Sequence, residues 1–128
     1  MGKFLFISLL LTVLTCEQEM MSTALKRNDE QKTIRLALHD EFELELAGNP
    51  TTGYRWSWAE ADSSILELRK REYHPDSDRI GSGGVERFFF KTVGAGETDL
   101  KLIYHRSWEK AVAPIDSFVV HLVVQKGG

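Results

Sequence analysis

A single cysteine, only three prolines and no strong excess of either charge set the first limits on this chain of 128 residues. The lone Cys16 excludes an internal disulfide framework and any cysteine-rich metal site. No thiol follows it, so a domain downstream of residue 16 cannot be a cysteine-nucleophile enzyme. The formal net charge is −3, without the clustered positive excess that a phosphate backbone requires, so no nucleic-acid partner is expected. No segment combines a sustained helical period with caps, which disfavours alternating strands and helices. There is no internal repeat and no low-complexity tract. With 42% hydrophobic and 27% charged residues, the composition is that of one ordinary soluble domain.

The longest apolar run lies at the start. Residues 1–16 combine Lys3, an apolar stretch Phe4–Leu14 and no acidic residue before Glu17. This is the layout of a secretory signal peptide, and the run is shorter than the about 20 residues a spanning helix needs. Cys16 stands where a bacterial lipoprotein signal would place its acylated cysteine, preceded by Val13-Leu14-Thr15. It reads either as a lipid attachment site or as a residue in or beside a discarded peptide. The only membrane contact expected is through such an anchor, and the chain is expected to be exported as a periplasmic, cell-surface or secreted protein. Residues 17–32 are polar and read as a flexible spacer, or a frayed start, ahead of a domain over 33–126.

From Thr33 onward the apolar period is two. Ile34, Leu36 and Leu38 alternate with polar residues, as do Phe42, Leu44 and Leu46 after a turn at His39-Asp40. Tyr54, Trp56 and Trp58 follow, then Ile65–Tyr73, Val85–Val93, Leu100–Tyr104 and Phe118–Val124. Turn signals separate these runs at Asn49-Pro50, Gly53, Pro75, Gly81–Gly84, Gly94/Gly96 and Pro114. About seven strands at this spacing predict an all-β, immunoglobulin-like β-sandwich. Trp and Phe side chains can fill the place of the missing disulfide in its core.

Three loops interrupt the alternation. In Asn49-Pro50-Thr51-Thr52-Gly53-Tyr54, Pro50 stiffens the entry and Gly53 permits a backbone shape closed to other residues, with two hydroxyls at the tip. Gly81-Ser82-Gly83-Gly84 strips side chains from the backbone, as a flexible connector does, or as a segment pairing with a partner's backbone does. A phosphate loop would want a following helix, and Val85-Glu86-Arg87-Phe88 begins a strand. In His105-Arg106-Ser107-Trp108-Glu109-Lys110, Trp108 stands among charges, either as a cap on the core edge or as an anchor for a partner. The four histidines, His39, His74, His105 and His121, match no motif such as His-Glu-x-x-His. His121 is expected on an outward strand face and His74 in a solvated loop, with no metal, cofactor or catalytic role.

In order and spacing these loops resemble the chagasin family of cysteine-peptidase inhibitors. That family is marked by Asn-Pro-Thr-Thr-Gly-Tyr/Phe followed by Trp, then Gly-x-Gly-Gly, then Arg-Pro-Trp. Here the matching residues are Asn49–Tyr54 with Trp56, then Gly81–Gly84, then Arg106-Ser107-Trp108. Ser107 departs from the family's Pro and is expected to loosen the third loop. The resemblance implies a monomeric, reversible, tight-binding inhibitor of papain-like cysteine peptidases, not an enzyme, that blocks the active-site cleft with three loops. It assigns peptidase binding to Asn49, Pro50, Thr51, Thr52, Gly53 and Tyr54, to Gly81, Ser82, Gly83 and Gly84, and to Arg106 and Trp108. The competing reading is an immunoglobulin-like adhesion or ligand-binding module. Whether the three loops share one end of the sandwich separates the two.

Overall fold

The structure, a computed structural model, describes residues 23–126. The expected signal segment 1–16 with Cys16, and the first part of the expected spacer, lie outside the described residues. Eight strands form the domain: β1 (Thr23–Leu25), β2 (Thr33–Ala37), β3 (Glu41–Gly48), β4 (Arg55–Glu60), β5 (Leu66–Pro75), β6 (Gly84–Thr92), β7 (Gly96–His105) and β8 (Asp116–Gln125). They make two four-stranded sheets, in the orders β1-β3-β6-β5 and β2-β8-β7-β4. Most neighbours are antiparallel; β1 runs parallel to β3 and β2 parallel to β8.

The period-two pattern explains which face each strand buries. Phe42, Leu44 and Leu46 of β3 point inward while Glu41, Glu43 and Glu45 face out. Phe88 and Phe90 of β6 meet them from the same sheet. Leu100 and Leu102 of β7 and Phe118, Val120, Leu122 and Val124 of β8 line the other side of the core. The rings of Phe42 and Phe90 stack at 5.3 Å, and Trp58 meets Phe90 edge-on at 5.6 Å. Burying each such side chain stabilises the fold by about 1.5–3 kcal/mol, which is how aromatics replace a disulfide here. Phe89, between two inward rings, faces out instead, with the Lys70 ammonium 5.4 Å from its ring.

Two expectations need correction. Residues 17–32 are not spacer throughout. Strand β1 lies within them, Leu25 is only 3% exposed in the core, and Arg27 forms a two-pronged ion pair with Asp116 at 2.8 and 3.2 Å. Three residues with one apolar side chain carry no visible period, so the strand is set by its parallel pairing with β3. His74 belongs to β5 rather than to the loop, where it is exposed and hydrogen-bonded to Glu72 at 2.9 Å. The expected turn at His39-Asp40 is present, with His39 at φ 73° and the Asp40 amide donating to the Thr92 hydroxyl.

Candidate functional site

The first loop carries the chain from one sheet to the other, leaving β3 at Gly48 and entering β4 at Arg55. It is a single 3₁₀ turn, Pro50–Thr52, capped on both sides. Asn49 Oδ1 accepts from the Thr51 amide at 3.1 Å, and the Gly53 amide closes the turn onto the Pro50 carbonyl at 2.9 Å. Gly53 takes φ 87°, a left-handed value that glycine adopts without cost. The Thr51 hydroxyl donates to Asn49 Oδ1 and the Thr52 hydroxyl to the Asn49 carbonyl. Both threonine protons are therefore engaged within the loop, and Thr52 Oγ1 also accepts from the Tyr54 amide at 3.3 Å, so what the two hydroxyls have left to offer is acceptor capacity.

Asn49 is the hub of this arrangement. Its amide donates to the Tyr104 hydroxyl at 3.0 Å, and its Nδ2 donates to the Gly81 carbonyl at 3.1 Å. The second of these bonds ties the first loop to the second. The second loop is the tip of the β5–β6 hairpin, closed by the Asp76 amide donating to the Gly83 carbonyl at 2.9 Å. Ser82 is used internally, its hydroxyl donating to the Ser77 carbonyl. Gly84 is buried, and a Cβ there would lie 2.3 Å from the His74 carbonyl oxygen, so the close approach that requires glycine is within the hairpin itself.

The third loop is tied to the first from the other side. Arg106 Nε donates to the Thr52 carbonyl at 3.1 Å, and its guanidinium lies 4.4 Å from the centre of the Tyr54 ring. Tyr54 in turn stacks on Tyr104 at 5.5 Å. The Trp108 ring rests against Gly53 and is otherwise open, at 64% exposure. Trp108 is thus not a buried cap on the core edge. With Ser107 in place of Pro, the third loop is held by a turn from the Glu109 amide to the Arg106 carbonyl and by the Ile115 amide donating to the Tyr104 carbonyl, both at 3.0 Å.

All three loops thus lie side by side at one end of the sandwich, in the order second, first, third. Thr51, Thr52, Gly81 and Trp108 are exposed, whereas Asn49, Pro50, Gly53, Tyr54, Ser82, Gly83 and Arg106 are half-buried and hold the others in place. Two residues of this end were missed by sequence reasoning. Ile80 is 102% exposed at the tip of the second loop, and its signal was a lone apolar side chain between Arg79 and Gly81. Glu86 is 1% exposed, and the alternation Glu86, Phe88, Phe90 already placed it inward. Among the described residues no group of three His, Asp or Glu side chains is placed to hold a metal ion. His121 is sandwiched between Asp99 at 2.8 Å and Glu97 at 2.9 Å on the outer face of the second sheet. These hydrogen bonds, that to Asp99 first, raise its pKa above the usual value.

Comparison with known proteins agrees with the geometry. The family model described as chagasin family peptidase inhibitor I42 matches residues 35–122. Amoebiasin-2 of Entamoeba histolytica is 27% identical over 98% of this chain and 100% of its own length. Chagasin of Trypanosoma cruzi is 28% identical over 80% of this chain and 97% of its own. Among solved structures, the cysteine protease inhibitor EhICP2 from Entamoeba histolytica superposes with a TM-score of 0.73 at 25% identity, covering 80% of this chain and 95% of that one.

Proposed function

Since the chain belongs to the chagasin family of peptidase inhibitors, we propose that it is a reversible, tight-binding inhibitor of papain-like cysteine peptidases that blocks the active-site cleft with three loops. It is an inhibitor of cysteine peptidases and not an enzyme. The observation that carries the three-loop reading is the lacing of the loops into one rigid edge through Asn49–Gly81 and Arg106–Thr52.

The physical logic is a preformed wedge. Loops already held in one shape lose little ordering entropy on binding, so more of the contact energy appears as affinity. The first loop is central and enters the cleft beside the catalytic cysteine and histidine, where Thr51 and Thr52 offer hydrogen-bond acceptors. The second loop lies along one arm of the cleft, with exposed Ile80 as its apolar contact. Trp108 packs on the other arm. The inhibitor contributes no nucleophile, and the thiol in the interaction is the enzyme's.

The test is a panel of papain, a cathepsin and trypsin against the purified protein. Nanomolar or tighter inhibition of the first two and none of trypsin is expected; no inhibition of papain or the cathepsin at micromolar concentration rejects the reading. We further infer a monomer, exported by way of residues 1–16, either anchored through a lipid on Cys16 or released by cleavage. The charge and apolar layout of that segment supports export, and mass spectrometry of the mature N-terminus distinguishes the two fates.

A further inference from the structure

Strand β4 is an edge strand, with β7 on one side and, among the described residues, no strand on the other. Two side chains from the opposite sheet occupy the open side. Glu86 Oε2 accepts from the Trp56 amide at 3.1 Å, and Arg71 Nη2 donates to the Trp56 carbonyl at 2.9 Å. Together they take the N–H and C=O of one residue as a neighbouring strand would. The two side chains are themselves paired, Arg71 Nη2 donating to Glu86 Oε1 at 2.9 Å, and Arg55 reaches the same oxygen at 3.3 Å.

The location of this cluster gives it a role beyond packing. Trp56 is the second residue of β4 after the first loop, and Gly48 is the last residue of β3 before it. A Cβ on Gly48 would stand 3.1 Å from Glu86 Oε2, so the carboxylate touches one end of the loop and binds the other. The Trp56 indole adds a second tie across the sheets, Nε1 donating to the Ala47 carbonyl at 2.9 Å. A loop that crosses between sheets has no ladder to fix the separation of its ends, and here a buried carboxylate does so. A buried charge is costly unless paired and hydrogen-bonded, and both oxygens of Glu86 are satisfied.

We propose that Glu86, supported by Arg71, is a positioning residue that sets the separation and orientation of the two ends of loop 49–54, and so the shape in which that loop meets a peptidase. The consequence for affinity rests on the inhibitor reading above; the consequence for the loop does not.

The test compares wild type, Glu86→Gln and Arg71→Met in the full chain, with Leu36→Ala, a core change in β2, as a control for lost stability. Two quantities are measured well below each Tm: Ki against papain, and NMR relaxation of the amides of residues 49–54. Glu86→Gln is expected to raise Ki about tenfold, mostly through slower association, and to increase motion of those amides, because a loosened loop must be ordered on binding. Arg71→Met is expected to do the same to a smaller degree, whereas Leu36→Ala lowers Tm with Ki and loop amides unchanged. Wild-type Ki and loop relaxation in Glu86→Gln would overturn the proposal. If Glu86→Gln does not fold, Arg71→Met decides by the same two readouts. If wild type inhibits no peptidase, the inhibitor reading falls while the relaxation data still decide the role of Glu86.

Discussion

Gly53 and Trp108 touch so closely that no side chain fits between them: a Cβ on Gly53 would lie 2.5 Å from Trp108 Cη2. Gly53 also holds φ 87°, where an L side chain is strained. Gly53→Ala is therefore expected to swing the indole away and to distort the central loop. The strain alone costs about 1 kcal/mol, or a Tm drop of about 4–8 °C in a domain of this size. Inhibition of papain should weaken by more than that strain accounts for, at least about tenfold. Unchanged Ki would mean that the indole's resting place does not matter for binding.

Trp108 and Ile80 stand exposed at the two flanks of the loop edge, so removing either should leave the fold alone. Trp108→Ala is expected to cost about 2 kcal/mol of binding, a rise of about 30-fold in Ki, with Tm unchanged. Ile80→Asp should raise Ki without changing Tm, since its side chain has no internal partner to lose. Calorimetry alongside inhibition assays separates anchors from core caps: lost Tm with intact inhibition would reassign Trp108 to the core.

Leu25 tests where the domain begins. Its burial predicts that Leu25→Ala destabilises by about 2–3 kcal/mol, the usual cost of truncating a core leucine. Deleting everything before residue 33 should cost more, since it also removes Arg27 from Asp116. Thermal unfolding of the two variants is the measurement, and wild-type stability in both would return residues 23–32 to the status of a spacer.

His121 should make stability depend on pH. Hydrogen bonds to Asp99 and Glu97 raise its pKa above the ordinary 6.5. The protonated form is thus favoured by folding, and its contribution is complete below the unfolded pKa and lost as pH rises through the higher folded one. A pH series of Tm from about 5 to about 9 should show wild type losing its advantage over His121→Gln at the alkaline end. A constant difference between the two across the series would rule this out.

Much of this molecule is legible in its residue order. The alternation Phe42-Leu44-Leu46 and Phe118-Val120-Leu122-Val124 fixes which faces meet, because a period of two leaves one way to bury them. The loop residues stand out because Pro50, Gly53 and Trp108 break that alternation. Less legible is how the loops are held. The Asn49–Gly81 and Arg106–Thr52 bonds each join a side chain to a backbone carbonyl far along the chain, and a carbonyl carries no sequence signature. Arg71 stands in the charged run Arg69-Lys70-Arg71-Glu72, and nothing in that run shows that it reaches the Trp56 carbonyl on the open edge of β4. Strand β1 is too short to show a period, so only its neighbour reveals it.

The pairing of β2 with β8 joins Thr33–Ala37 to His121–Gln125, nearly the two ends of the domain. A chain emerging from the ribosome has β2 long before its partner exists. The second sheet cannot be completed until the last strand has been made, and contacts so distant in sequence close slowly. The sandwich is therefore finished only after synthesis of the domain is over, and until then the edge of β2 that faces β8, and the apolar side chains beneath it, have no place to go.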